Sequence, residues 1–428
     1  TNPLNRLISG IKNLIKNYED VEKQRSNLDF DIDGIVYKIN DFALQKRLGY
    51  VANAPRWAIA HKFSSNKATS EILDIDIQIG RTGALTPVAK IKPVNIGGVQ
   101  VSNATLHNED EINRKDIRVG DTVTVERAGD VIPHILSVDK KKRPKNASKF
   151  IFPNKCPSCG SKTVKEFNSV TKKNDAVRRC SSEGYDCDKI SIEKLKHFVS
   201  KEAFNIDGFG KKIVENFWKL DLIKFPQDIF KLDYKKIEKL EGWGNLSIQN
   251  LKYSINDKKK ISLERFIYSL GIRHIGLENA KLLSKHFVSF LKFKDLPING
   301  YDELINLDGI GETQVLSIKN FFSNKMNLKV LNELEKVLTI DNAIFAGKKG
   351  PLKNKTFLVT GKLNGISRAE VKSLIEDNSG TTVSTVSKKL DYLIIGDKPT
   401  KRKVENAKEL KIEIIDQSQF LKMLNKTS

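Results

Sequence analysis

Two lysines and four cysteines have the spacing that chemistry would require. Lys38 ends the run Asp33-Gly34-Ile35-Val36-Tyr37-Lys38, and Lys62 follows 24 positions later in Arg56-Trp57-Ala58-Ile59-Ala60-His61-Lys62-Phe63. Alternation over 30–39 predicts a strand with Phe30, Ile32, Val36 and Lys38 on one face and Asp31, Asp33, Ile35 and Tyr37 on the other. A lysine at the end of a mostly apolar face must snorkel, lose its charge or find an anion, because an unpaired buried ammonium is costly. Lys62 shares its face with Ala58 and Ala60, which leaves room in front of the amine. Two lysines beside an Asp-Gly turn fit a nucleotide-phosphate pocket. The alternative is a pair of edge strands ending in solvated lysines.

All four cysteines fall in one short segment, as Cys156-x2-Cys159 and Cys180-x6-Cys187. A two-residue gap lets one turn aim two thiolates at one metal, and the second pair completes a tetrahedron, which predicts a closed, structural zinc site. A pair of disulfides is the competing reading, and a reducing compartment disfavours it.

A third pattern repeats. Ile206-Asp207-Gly208-Phe209-Gly210, Leu240-Glu241-Gly242-Trp243-Gly244 and Leu307-Asp308-Gly309-Ile310-Gly311 share one form, and Arg273-His274-Ile275-Gly276, after Gly271, is a looser fourth. Their last glycines are 34, 32 and 35 residues apart, and a helical pattern follows each. Such a turn leaves backbone N–H groups free at a helix N-terminus, where a phosphate oxygen binds without any reading of base sequence. Glycine also ends helices for steric reasons alone.

The elements that must hold these groups follow from periodicity. Residues 1–28 read as one amphipathic helix or two short ones leading into the first strand. Short β-segments at 75–79, 85–91, 99–102, 122–127 and 131–138, separated by glycines, suggest a small Greek-key barrel of the oligonucleotide-binding type. Its turns carry Arg81-Thr82-Gly83, the 102–108 segment Ser-Asn-Ala-Thr-Leu-His-Asn, and Arg127-Ala128-Gly129-Asp130; ordinary turn chemistry explains each singly. The basic run 140–145 reads as a solvated linker. Residues 191–340 are helical, and 345–351 read as a linker. Beyond it, strands at 356–360, 382–386, 392–395 and 413–415 with helices at 367–378, 404–410 and 417–424 imply a four-stranded α/β sheet. Thr360-Gly361 and Ser387-Lys388-Lys389 stand at its loop ends, where packing and solvation are the simpler roles.

At 428 residues the chain divides into several domains, and Lys plus Arg exceed Asp plus Glu by 22, spread along the length. That distribution suits many weak phosphate contacts. No apolar run reaches the ~18–20 residues needed to span a bilayer, and no signal segment opens the chain, so a cytoplasmic address is expected. Thr1 is not a methionine, and too few residues precede the first strand to complete a nucleotide-binding domain, which suggests that the chain begins inside a larger protein.

Taken in order, the chain resembles the bacterial NAD-dependent DNA ligases over essentially its full length. The matching strings are 33–38, 54–63, 80–89 (Gly-Arg-Thr-Gly-Ala-Leu-Thr-Pro-Val-Ala), 102–108 and 127–133 (Arg-Ala-Gly-Asp-Val-Ile-Pro). The resemblance implies a multidomain α+β protein: 1–67, the C-terminal strands of a nucleotidyltransferase (adenylation) domain; 68–143, an OB-fold; 152–190, a four-cysteine zinc finger; 191–340, four helix-hairpin-helix motifs; 350–428, a BRCT-like α/β domain. It implies the sealing of 5′-phosphate/3′-hydroxyl nicks in duplex DNA in replication and repair, by a monomer using NAD, magnesium or manganese, and structural zinc. A lysine attacks NAD to form lysyl-AMP, AMP moves to the 5′-phosphate, and the 3′-hydroxyl displaces it. Lys38 and Lys62 would contact the AMP phosphate, and Arg25 and Asp33 would support the nucleotide pocket. Arg81, Arg127 and the glycines Gly208, Gly210, Gly242, Gly244, Gly276, Gly309 and Gly311 would hold DNA, and Cys156, Cys159, Cys180 and Cys187 the metal.

Three departures accompany the resemblance. No Lys-x-Asp-Gly occurs: the residues two before the Asp-Gly pairs are Asp31, Asn205 and Asn306. The nucleophile is thus absent from this sequence, and self-adenylylation is not expected of it. His61 stands where an aromatic is usual, and the last domain has Ser379-Gly380 in place of two glycines and no tryptophan in its last helix. Two other readings compete: a non-catalytic nick- or junction-binding protein, and an ATP-using ligase or capping enzyme.

Overall fold

The computed structural model describes residues 3–30, 32–51, 54–97, 99–127, 132–168, 172–307, 309–343, 350–366, 368–383, 385–387 and 390–424. The linker expected at 345–351 lies mostly outside them, as do Gly98, residues 128–131, Asp308, Lys388 and Lys389. The chain divides into two compact units, 62–343 and 1–61 with 344–428.

In 62–343 the barrel forms around one long strand. Asn66–Ile79 pairs antiparallel with Leu85–Ile96 along one half and with Thr122–Arg127 along the other. An irregularity between Ile72 and Asp74 bends it, which is how one strand serves two sides of a barrel. Val99–Thr105 and His134–Val138 complete a closed five-stranded order, sealed by the parallel pair Thr105–His134. Alternate residues Ile72, Ala89, Ile91, Val101, Val123, Val125 and Ile135 fill the interior. Helix Glu109–Lys115 covers one end: the Asn108 side chain accepts from Glu111 N (2.9 Å), three acids complement the first turn, and Ile112 is buried. The 140–145 run is not a free linker. Lys140–Lys142 forms a 3-10 turn, and Arg143 returns to the barrel, donating to Asp121 (2.7 Å) and Asp116 (2.6 Å).

Strands Thr163–Asn168 and Lys173–Cys180 pair as an antiparallel ribbon whose ends carry the cysteines. Helix Asp188–Phe198 then opens the helical array, whose core is built from Phe198, Phe204, Phe217, Phe266, Leu283, Phe293 and Leu331 among others.

In the other unit, helix Ile11–Gln24 precedes strand Gly34–Lys38, which pairs with Ala58–Lys62. The helix starts later than the sequence suggests because Gly10, at φ 84°, interrupts it. The C-terminal part is a four-stranded parallel sheet in the order Thr381–Thr382, Thr356–Thr360, Tyr392–Ile395, Glu413–Asp416, with helices between the strands. Phe420, 1% exposed, fills the core position in the final helix where no tryptophan stands. Gly361 is fixed by packing, since an added Cβ would lie 2.7 Å from the Gly396 carbonyl, and buried Thr360 accepts from Thr400 N through its hydroxyl.

Candidate nucleotide and nucleic-acid interface

The two lysines end paired strands, but the predicted face is inverted. Ile35 and Tyr37 are half-buried, whereas Val36 is 56% exposed and Lys38 is exposed. Lys38 therefore extends from an open face, where burial forces no partner on it. Lys62 is likewise exposed, and so are Ala60 and Ile59. Asp33 immediately precedes the first strand, and Arg25 opens a 3-10 turn after the first helix. His61 behaves as the aromatic it replaces: its ring stacks on Tyr18 at 3.9 Å and 13°, and its Nδ1 hydrogen-bonds the Tyr37 hydroxyl at 3.1 Å.

The four cysteine sulfurs lie within 4.8 Å of one another. Metal–thiolate bonds of about 2.3 Å in a tetrahedron place sulfurs about 3.8 Å apart, and the pairs Cys159–Cys180 and Cys156–Cys187 sit at 3.5 and 4.0 Å. Backbone bonds Gly160 N to Cys156 O and Cys156 N to Ser161 O shape the first knuckle, and Cys187 caps helix Asp188–Phe198. Burial raises the Cys180 and Cys187 thiols; it also opposes ionisation of Cys159, yet hydrogen bonds from Ser161 bring that thiol down to about 6. A dication would hold all four as thiolates. The donor set fits a closed zinc site with no open coordination position.

The four turns have one geometry. Phe209, Trp243, Ile275 and Ile310 each donate from N to the carbonyl three residues earlier, at 3.2, 3.2, 3.1 and 3.0 Å. The residue before each donor is left-handed: Gly208 (φ 76°), Gly242 (81°), His274 (61°) and Gly309 (94°). Gly210, Gly244, Gly276 and Gly311 then cap helices Lys211–Lys219, Asn245–Asp257, Leu277–Phe287 and Glu312–Ser323 in extended conformation, without a capping side chain from any of the glycines. The amide of the fourth residue of each helix donates to that glycine's carbonyl, as does the third in two of them, so the amides of the first two residues face outward. All seven glycines are exposed. The third motif is thus a full member, with His274 in the glycine position and its carbonyl bonded by Asn279 Nδ2 (3.0 Å).

Arg127 ends its barrel strand half-buried. Arg81 is already engaged: its Nη1 donates to Gly271 O at 2.8 Å, and burial lowers its pKa. The Arg81-Thr82-Gly83 turn is a seat for the ribbon, with Cys180 N bonded to Gly83 O (2.9 Å) and Arg179 Nη1 donating to Thr82 Oγ1 (3.1 Å). Sequence reasoning placed Arg178 beside the cysteines and Arg273 in the looser of the four turns but missed that they dock the ribbon, together with Glu109, Asp110, Lys165 and Glu166. The three consecutive acids 109–111 in a basic chain were the available signal. A cleft of about 1430 Å³ opens among ribbon, third turn and the last capped helix, lined by Arg81, Lys194, Arg273, His274, Thr313 and Asn320. Among the described residues no helix is long and apolar enough to cross a membrane.

Comparison with known proteins matches residues 1–66 to the NAD-dependent DNA ligase adenylation domain and 69–147 to the NAD-dependent DNA ligase OB-fold domain. Residues 265–331 match the helix-hairpin-helix motif and 347–424 the BRCT domain. Among curated proteins, the DNA ligase of Pelagibacter ubique is 69% identical over 428 residues, covering 100% of this chain and 63% of that protein. Those of Beijerinckia indica and Wolbachia pipientis wMel are 44% and 46% identical, with 99% and 98% of this chain and 62% and 63% of theirs covered. The chain spans a little under two thirds of the length of these relatives.

Proposed function

We infer that this chain is the DNA-gripping portion of an NAD-dependent DNA ligase, which seals 5′-phosphate/3′-hydroxyl nicks through lysyl-AMP and AMP–DNA intermediates in replication and repair. One observation carries the reading: a segment matching that family's adenylation domain runs into its OB-fold and then into four turns of one geometry, each presenting unbonded amides.

Exposed Lys38 and Lys62 would bring positive charge to the AMP phosphate, with Arg25 and Asp33 at the nucleotide pocket. Phosphoryl transfer depends on positioning and on cations at the non-bridging oxygens. NAD supplies the adenylyl group, and magnesium or manganese adds charge to the phosphates. The lysine that accepts AMP is contributed from outside these residues, since no Lys-x-Asp-Gly occurs among them. Arg127, the remaining donors of Arg81, and the glycines of the four turns would hold the duplex backbone, while zinc in the cysteine cluster keeps the ribbon folded. The protein acts as a cytoplasmic monomer, and the BRCT domain's contacts are a separate question.

The test offers a pre-adenylylated nicked duplex and magnesium to the chain supplied with an adenylation-competent N-terminal half. Phosphodiester formation should fall sharply in Lys38→Ala and in Lys62→Ala. Sealing that survives both substitutions overturns the assignment of these lysines, and duplex binding without any sealing favours a non-catalytic nick-binding protein. The chain alone with NAD labelled in its AMP half should give no covalent adduct.

A further inference from the structure

The cysteine-bearing ribbon carries like charges in direct opposition. Lys165 and Arg178 are cross-strand partners, an arrangement that destabilises a two-stranded sheet unless something of opposite sign intervenes. The barrel helix supplies it: Glu109 lies 3.2 Å from Lys165 and 3.0 Å from Arg178, and Asp110 lies 2.6 Å from Lys165. The acids of the same ribbon likewise meet charges of opposite sign. Glu166 and Asp175 both meet Arg273, at 2.5 and 3.8 Å, and Asp175 also meets Arg179 at 3.3 Å. Lys165 and Glu166 are consecutive at an irregularity in the ribbon's pairing, and they meet different partners, the barrel helix and the third turn. The ribbon is therefore a two-sided electrostatic spacer between the barrel and the third turn.

The third turn differs from the others at the residue that makes this contact. Where Arg273 stands, the other turns have Asp207, Glu241 and Asp308. Asp207 and Glu241 are exposed at their turns, whereas Arg273 is half-buried. Arginine there would be free to take the phosphate itself, yet it is committed to the ribbon. The same turn replaces the left-handed glycine by His274, a conformation that needs support from its surroundings.

We propose that Arg273, Glu166 and Asp175 are positioning residues for DNA binding: the metal-bound ribbon holds the third turn in place against the barrel, so this grip on the duplex depends on the metal. The proposal rests on the DNA-binding reading above. The link is mechanical. Cys156 and Cys159 precede one ribbon strand and Cys180 ends the other, so the metal ties together one end of the ribbon, and the paired strands run on from it to Glu166 and Asp175. No step of catalysis is assigned to these side chains.

The experiment is a cycle read by fluorescence anisotropy of a labelled nicked duplex, with metal content measured in parallel. Arg273→Glu should weaken binding about tenfold, the scale of one misplaced phosphate grip, with Arg273→Lys close to wild type. Glu166→Arg combined with Arg273→Glu should recover most of the loss. Stripping metal from the wild type with a thiol-displacing mercurial and chelator should weaken binding at least as much, but should add little to Arg273→Glu. Thermal melting of the metal-loaded variants confirms that each is folded. Losses that multiply, or an Arg273→Glu protein that binds as wild type, overturn the proposal while leaving the ligase reading intact. A wild type that does not bind duplex DNA at all overturns that reading, and the proposal with it.

Discussion

The cap glycines separate a role in folding from a role in holding phosphate. Gly210 and Gly244 have φ of −73° and −89°, open to any L-residue, and a Cβ built on either meets nothing within 4 Å. Replacing them by alanine costs only the difference between a good and a poor N-cap, about 0.5–1 kcal/mol of folding stability each. The new methyl would, however, stand in front of the amides that a phosphate must approach. Losing one charge-assisted hydrogen bond costs about 1.5–3 kcal/mol, and each 1.4 kcal/mol is about tenfold in affinity. The double variant Gly210→Ala/Gly244→Ala should therefore melt within a few degrees of wild type and bind nicked duplex at least about tenfold more weakly. Its salt dependence should hardly change, because an amide has no formal charge with which to release counterions. Gly208→Ala and Gly242→Ala make poorer probes, since φ of 76° and 81° adds about 1–2 kcal/mol of left-handed strain. The measurement is anisotropy across a salt series beside thermal unfolding. A folded double variant with unchanged affinity would refute the claim that these helix ends receive phosphate.

Two further outcomes concern buried charge. Lys194 donates to Gly184 O at 2.5 Å and lies 4.5 Å from the Tyr185 ring; burial, with Arg81 nearby, lowers its pKa to about 8. The folded protein then binds fewer protons than the unfolded chain between about pH 8 and the ordinary lysine value near 10.4, so stability should rise with pH through that window. Lys194→Met should raise the melting temperature near neutrality and flatten the rise, as thermal scans at both ends of the window would show. Asp121, whose side chain is fully buried, accepts from Arg143 at 2.7 and 2.9 Å and from Arg118 N at 2.8 Å. Asp121→Asn removes the buried one of the two carboxylates that hold Arg143, Asp116 remaining, and should destabilise the barrel by about 1.5–3 kcal/mol in urea unfolding.

What could be read from the sequence was local. The four turns were legible because each is closed by one bond across three residues, and the cysteines because their spacing states their geometry. Strand 122–127 alternates, 356–360 and 392–395 are short apolar runs, and all three appear where expected. The long barrel strand was visible only over 75–79, since the irregularity at Ile72–Asp74 resets its period. Alternation gave the two faces of 34–38 but not which is covered, because that depends on what packs there and not on the strand itself. Arg143 looked like part of a solvated run for the same reason: its partners Asp116 and Asp121 are more than twenty residues away. His61 could not be judged alone, since Tyr18 supplies the stacking surface. The ribbon's alternating charges were in plain view, but their meaning lies in the barrel helix and third turn that neutralise them.

If the turns take phosphate as proposed, their shared geometry also governs how a duplex would leave. Each is closed by its own backbone bond and its own helix, so each can let go of a strand without disturbing the other three. A duplex held at several such points dissociates one contact at a time, and any contact still closed keeps the released ones at high local concentration for recapture. Residence time then multiplies with the number of turns engaged, while no single turn needs to bind tightly, and a protein built this way can step along a backbone without ever fully releasing it.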